Sequence, residues 1–135
     1  MRSRTVAITL SVPRWKVFHY LSRVENLPRW ATEFCRELKV VDGKHKVMTC
    51  PAAGGQELFF EICADDRTGV IDMFAGPSEE QMTVFPTRVV ELPDGLTAFL
   101  FTMFQAPGMS DEQFELQHDN LKREFENIRR ELVET

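Results

Sequence analysis

His118 is the residue whose position most clearly suggests chemistry. It lies within a series of residues near the C-terminus that are spaced four, three, four, three and four positions apart: Phe114, His118, Leu121, Phe125, Ile128 and Leu132. That spacing predicts one face of a helix and places the imidazole on its buried side. Two interpretations stay open, a hydrogen-bonded core histidine or the polar contact of a ligand cavity. In either case we expect a mostly buried ring with at least one hydrogen bond.

Two carboxylates, Glu61 and Asp72, could form an acid–base pair. Residues 57–64 and 69–75 read as two antiparallel strands joined by a short loop, in a register that pairs Glu61 with Asp72. Facing the interior, the pair would share a proton, whereas on the outer face both groups would be solvated. The opposite face of the strand pair is apolar and carries Phe60, Ile62, Ile71 and Met73. Because uncompensated charge is costly inside a protein, we expect the apolar face to line the interior.

Arg88 is a further candidate. It shares the parity of Val84 and Val90 within a predicted strand over 81–92, which predicts an inward guanidinium that pairs with a carboxylate of the protein or of a ligand. Pro86 leaves the outward alternative open, because a proline interrupts the ladder and the parity can change after it.

No motif points to a metal, a cofactor or a covalent nucleophile. The three histidines and three cysteines show no CxxC, HxH or HExxH spacing, and no glycine-rich phosphate loop is present. The basic pairs 122–123 and 129–130 alternate with Glu124, Glu126 and Glu131, which predicts a solvated helix face. We therefore predict no catalytic residue, metal ligand or cofactor.

Charge and cysteine content limit the class of protein. Sixteen Lys and Arg against 21 Asp and Glu give a net charge of −5, which leaves no basic face for nucleic acid. Cys35, Cys50 and Cys63 are an odd number without a close pair, which predicts reduced thiols and a cytoplasmic protein. The longest apolar stretch, residues 96–104, is far shorter than the ~20 residues of a spanning helix, so we expect no membrane insertion.

The elements that must position these residues follow from the periodicity. About seven strands are predicted, over 5–12, 37–41, 44–50, 57–64, 69–75, 81–92 and 96–105. Pro13 opens a helix that extends to Val24, and residues 29–34 form one more turn. Ser110 and Gln113 give a capping-box pattern for a long helix over 111–134. Helices at the two ends of a strand-rich chain favour an α+β fold in one domain, 1–135, with a curved antiparallel sheet wrapped around the last helix.

Five segments add a family resemblance. They are Val12-Pro13, ENLPRW at 25–30, GVID at 69–72, PTRVV at 86–90 and residues 101–114 leading into the last helix. Through them the chain resembles the polyketide cyclase/dehydrase-like family of the START-like, helix-grip superfamily, which includes lipid-transfer domains and the birch pollen allergen. The resemblance implies a helix-grip fold. It also implies, for most members, an apolar small molecule as ligand and, for a few, cyclisation or dehydration. No shared catalytic motif exists to carry over.

The leading hypothesis is that a lipid-, polyketide- or aromatic-like molecule binds between the sheet and the C-terminal helix. The predicted ligand-binding residues are Phe60, Ile62, Ile71, Met73, Arg88, Phe99, Phe101, Met103, Phe114, His118, Leu121 and Phe125. One alternative is a cyclase- or dehydratase-type enzyme, which needs two ionisable groups facing the cavity. The other is a non-catalytic interaction module with a collapsed cavity. Its outer sheet face, with Phe59 and Phe74, would bind a protein partner such as a second copy of the chain.

Overall fold

An antiparallel sheet and a long C-terminal helix make up most of the chain in the computed structural model, which describes residues 1–133. The eight strands in this part of the chain are β1 (Ser3–Leu10), β2 (Cys35–Val41), β3 (Lys44–Thr49), β4 (Glu57–Asp65), β5 (Val70–Gly76), β6 (Thr83–Phe85), β7 (Thr87–Glu91) and β8 (Thr97–Phe104). The helices are α1 (Arg14–Leu21), α2 (Leu27–Trp30) and α3 (Asp111–Leu132). The strand order is β1-β8-β7-β5-β4-β3-β2, with β6 paired to β5. The α+β helix-grip architecture is confirmed.

The long helix α3 begins where the capping box predicts. The Ser110 side chain accepts a hydrogen bond from the Gln113 backbone N–H at 3.1 Å, and the Gln113 side chain accepts one from the Ser110 N–H at 2.9 Å. Phe125 packs on β8, with its ring centroid 5.5 Å from that of Phe99 and 6.5 Å from that of Phe101. The helix ends at Leu132, and the predicted end at position 134 lies outside the described residues.

The short helices differ from the prediction. The first helix ends at Leu21, a 3₁₀ turn follows at Val24–Asn26, and α2 contains Pro28 in its first turn instead of starting after it. A proline is tolerated there because the N–H groups of a first turn have no partner within the helix. The Asn127 side chain donates a hydrogen bond to the Trp30 carbonyl oxygen at 3.0 Å, which holds α2 against α3.

The predicted strand over 81–92 is two strands, and Pro86 separates them. β6 pairs with β5, whereas β7 pairs with β8 and, at Val70, with β5. The Pro86 carbonyl oxygen still accepts from the Thr102 N–H at 2.9 Å. Thr87 and Val89 are the buried residues of β7, so the side chains of the other parity point outward.

The β4–β5 register is displaced by two residues from the prediction. Glu61 pairs with Phe74, and Asp72 pairs with Cys63. The connecting loop extends to Gly69, whose φ of +79° is favourable for glycine and whose absent side chain leaves room for the Val89 carbonyl oxygen. A shift of two residues preserves the faces, so the predicted apolar face is still the inner one.

No helix within residues 1–133 is long and apolar enough to cross a membrane.

Candidate functional site

A cavity of about 130 Å³ lies between the sheet and α3, next to α2. An engineered apolar cavity of about 150 Å³ holds benzene, so the volume suits a molecule of one-ring size. The sheet supplies Phe60, Met73, Phe85, Phe101 and Met103; the α2 region supplies Leu27, Trp30, Ala31, Glu33 and Phe34; α3 supplies Gln117, Asn120, Leu121 and Glu124. Ala53 completes the lining from the 3₁₀ turn Pro51–Ala53.

Aromatic rings frame this cavity on the sheet side. The centroids of Phe85 and Phe101 are 5.9 Å apart, and those of Phe34 and Phe60 are 6.2 Å apart. Phe85 reaches the cavity because it pairs across the sheet with Met73, which also lines the cavity. The wall is therefore made of stiff rings, with the flexible thioethers of Met73 and Met103 between them.

Five of the twelve predicted ligand-binding residues line the cavity: Phe60, Met73, Phe101, Met103 and Leu121. Four others are buried in the core without lining it: Ile71, Phe99, Phe114 and Phe125. Ile62 is half-buried and lies outside the lining. Periodicity identifies the inner face of a strand or helix, but it does not show which part of that face borders an empty space.

The prediction of an inward Arg88 is wrong. Its side chain is exposed, and its Nε donates a hydrogen bond to the Thr68 carbonyl oxygen at 3.4 Å. Phe85, Thr87 and Val89 share the inner parity on both sides of Pro86, so Arg88 lies on the outer parity. The prediction assigned the wrong parity to the inner face, because Val84 and Val90 are apolar as well.

His118 does not line the cavity. Its side chain is 22% exposed, and its nearest charged neighbour is Asp119, with Nδ1 and Oδ1 3.6 Å apart. The expected hydrogen bond is not formed with any residue of the described range 1–133. At 3.6 residues per turn, His118 and Glu124 lie about 60° to opposite sides of Leu121 around the helix axis. The cavity borders the Glu124 side.

The expectation that Glu61 and Asp72 face outward is confirmed. Glu61 is exposed and Asp72 is half-buried, on the face opposite the buried Phe60, Ile71 and Met73. These two carboxylates therefore contribute nothing to the cavity.

Glu124 is the functional candidate that the sequence interpretation missed. The prediction of a solvated helix face at this position is wrong, because only 6% of the residue is exposed. Its Oε2 accepts hydrogen bonds from the backbone N–H groups of Glu33 and Phe34, each at 3.2 Å. The residue type and the charged residues around it do not predict that this glutamate is buried. The indication available was its spacing, three residues after Leu121 and four before Ile128, which places it on the flank of the apolar stripe.

Burial raises the pKa of the Glu124 carboxyl to about 8. The two backbone hydrogen bonds and the Arg123 charge lower it, and the Glu33 charge raises it, but the loss of hydration outweighs the lowering contributions. The Arg123 guanidinium does not pair with Glu124, since its Nε binds the Glu33 carboxylate at 3.0 Å. The cavity therefore contains one carboxyl group that favours the neutral form.

Among the described residues, no group of three or more His, Cys, Asp or Glu side chains is arranged to hold a metal ion.

Solved structures with this fold are similar over nearly the whole chain. A START superfamily protein from Mycobacterium smegmatis aligns with a TM-score of 0.71 at 12% identity, over 97% of this chain and 99% of that one. Ara h 8.0201 aligns with a TM-score of 0.70 at 17% identity, over 99% of each chain. The Zhui aromatase/cyclase from Streptomyces sp. R1128 aligns with a TM-score of 0.68 at 14% identity, over 93% of this chain and 87% of that one. The protein thus has a START/polyketide cyclase-like fold.

No family model matches the sequence, and no curated protein is significantly similar to it. At these identities the similarity to solved structures concerns the fold, and the site must be interpreted from its own residues.

Proposed function

We propose that the protein binds a compact, largely apolar small molecule in the cavity between the sheet and α3. The observation that carries this proposal is the cavity itself, which is lined by aromatic, Met and Leu side chains with few polar groups. That composition is typical of small-molecule sites. The fold, shared with a START superfamily protein and an aromatase/cyclase, supports the same interpretation. The free thiols Cys35, Cys50 and Cys63 support a cytoplasmic location.

The two alternative functions are less well supported. An enzyme needs an acid and a base facing the same cavity, and of the ionisable groups in its lining, Glu33 is paired with Arg123. Glu124 is then the remaining ionisable group of the lining that could act as an acid or a base.

An interaction module needs an exposed apolar face. Phe59 and Phe74 are only half-exposed on the outer sheet, and the Lys46 ammonium lies 4.6 Å from the Phe59 ring centroid. A small molecule is therefore a better-supported partner than a second copy of the chain.

A tryptophan placed at the edge of the cavity tests the proposal. Ala53 lines the cavity and is half-buried, while its neighbour Ala52 is exposed and outside the lining. With benzene as the probe, followed by ligand-observed NMR, we expect saturable binding that weakens at least tenfold in Ala53→Trp, because the indole occupies the cavity. Ala52→Trp is the matched control and should bind like the original chain. Equal binding in both variants would place the site elsewhere, and absence of benzene binding to the original chain would contradict the proposal.

A further inference from the structure

The two carboxyl oxygens of Glu124 differ in their contacts within residues 1–133. Oε2 accepts both backbone hydrogen bonds, from Glu33 and Phe34. Within residues 1–133, Oε1 takes part in no hydrogen bond, and Glu124 forms no ion pair. Every fully buried side-chain oxygen or nitrogen in the same range has a hydrogen-bond partner. Oε1 is therefore not fully enclosed, and because Glu124 lines the cavity, this oxygen opens into it.

The two hydrogen bonds also determine where a proton on this carboxyl group must sit. Two N–H donors already point at Oε2, so a proton on that oxygen would oppose them, and the neutral form carries its proton on Oε1. The sheet offers no charged side chain to the cavity, since its contributions are phenylalanine and methionine. A carboxylic acid kept neutral by an apolar site is a hydrogen-bond donor. Neutral Glu124 thus presents an O–H group to the cavity.

We infer that the ligand carries a hydrogen-bond acceptor, a carbonyl oxygen, on a compact apolar body of about one-ring size, and that Glu124 donates a hydrogen bond to it. The inference rests on the proposed function and specifies its ligand class. The bond would satisfy Oε1, the carboxyl oxygen of Glu124 that takes part in no hydrogen bond within residues 1–133. The apolar body would contact the rings of Phe60, Phe85 and Phe101.

Binding of such a ligand should depend on pH. The groups near Glu124 that can carry a charge are Glu33 in the segment before β2, Arg123 on α3, Cys35 on β2 and Cys50 after β3. Arg123 and Glu33 neutralise each other through their ion pair, and the pKa values of both thiols are raised. Of the neutral groups in this set, Glu124, with its pKa of about 8, is then the first to ionise as the pH rises. Its ionisation removes the hydrogen-bond donor.

Cyclohexanone and methylenecyclohexane form a matched pair of probes, because they have the same shape and differ in a carbonyl oxygen against a methylene group. With the full chain at pH 6, measured by isothermal titration calorimetry, we expect cyclohexanone to bind at least tenfold more tightly. At pH 9.5 this preference should disappear, because the ionised carboxylate repels the carbonyl oxygen. Equal affinities for the two probes at pH 6 would overturn the inference and leave the proposed function intact. Binding of neither probe would overturn both.

Two variants identify the donor. In Glu124→Gln, the amide oxygen can accept the two backbone hydrogen bonds while the amide N–H₂ donates into the cavity. We therefore expect the cyclohexanone preference to persist at pH 9.5. In Glu124→Met, the preference should be lost while methylenecyclohexane still binds. The side-chain amides of Gln117 and Asn120 also line the cavity, so Gln117→Met and Asn120→Met test whether either amide is the donor instead. A preference that survives in Glu124→Met would overturn the assignment, and so would its loss in either amide variant.

Discussion

Two opposing effects determine the pKa of the Glu124 carboxyl group. Backbone N–H groups stabilise the ionised form, whereas burial among apolar side chains stabilises the neutral form, and the pKa of about 8 shows that burial outweighs the hydrogen bonds. Trp30, Phe34 and Leu121 border the same space. The group therefore links α3 to the segment before β2 and also lines the cavity.

This carboxyl group should make stability depend on pH. Its pKa is about 8 in the folded chain and close to 4.5 when unfolded. Between these values the folded chain keeps a proton that the unfolded chain has released. The stabilisation is therefore complete below about pH 4.5 and is lost as the pH rises through 8. We expect the free energy of unfolding to fall by up to about 1.4 kcal/mol per pH unit between pH 5 and 8. Urea titrations followed by tryptophan fluorescence measure it.

The matched control for this pH dependence is Glu124→Gln, which cannot titrate. Its free energy of unfolding should change much less over the same interval. Parallel pH profiles for the two chains would mean that the Glu124 carboxyl is already ionised in the folded protein.

At the scale of elements, the position of α3 is determined at its start. The capping box joins Ser110 to Gln113, and Asp111 is bound by Arg2 of the N-terminal region at 3.1 Å and by the Gln105 side chain at 2.9 Å. The Arg2 guanidinium also lies 5.1 Å from the Phe114 ring centroid. The first turn of the helix is thus fixed to the end of the β1–β8 pair at which β1 begins and β8 ends.

Ser110→Ala should destabilise the protein by about 1 kcal/mol, the usual cost of removing a helix N-cap. The Gln113 N–H loses its acceptor, while the fold and the cavity remain intact. Lys122→Ala, an exposed mid-helix position on the same helix, is the control and should change the free energy of unfolding by less than about 0.5 kcal/mol. Equal losses in the two variants, measured by urea denaturation, would show that the capping box adds nothing.

The elements also show how much the sequence could predict. The start of α3 was predictable because its cap is local, and the inner face of β4 and β5 was predictable because alternation survives a register shift of two. The direction of Arg88 was not predictable, because apolar residues occupy both parities of this segment, Val84 and Val90 on one and Phe85 and Val89 on the other. The burial of Glu124 depends on two backbone N–H groups about 90 residues away in sequence, and no local pattern records such a contact.

At the scale of the molecule, the cavity lies along the flank of α3 that faces α2. Phe99, Phe114 and Phe125 fill the interface fully, whereas the flank with Gln117 and Glu124 faces α2 across the cavity. The short helices therefore help to form the site. They are joined to α3 by the ion pair between Arg29 Nε and Glu131 Oε1 at 2.7 Å and by the hydrogen bond from Asn127 to the Trp30 carbonyl oxygen at 3.0 Å.

Two leucines of α3 separate packing from binding. Leu121 is 5% exposed and lines the cavity, and Leu132 is 4% exposed and does not. Truncation to alanine should cost about 2–5 kcal/mol at either position, because both lose a buried side chain. Only Leu121→Ala enlarges the cavity, so only this variant should gain affinity for a larger probe. With naphthalene we expect at least a tenfold gain over the original chain, equivalent to about 1.4 kcal/mol, and no gain in Leu132→Ala. Both truncations remove a buried side chain, but only Leu121 lines the cavity. A gain in affinity in both variants would therefore mean that naphthalene binds to a loosened core and not to the enlarged cavity.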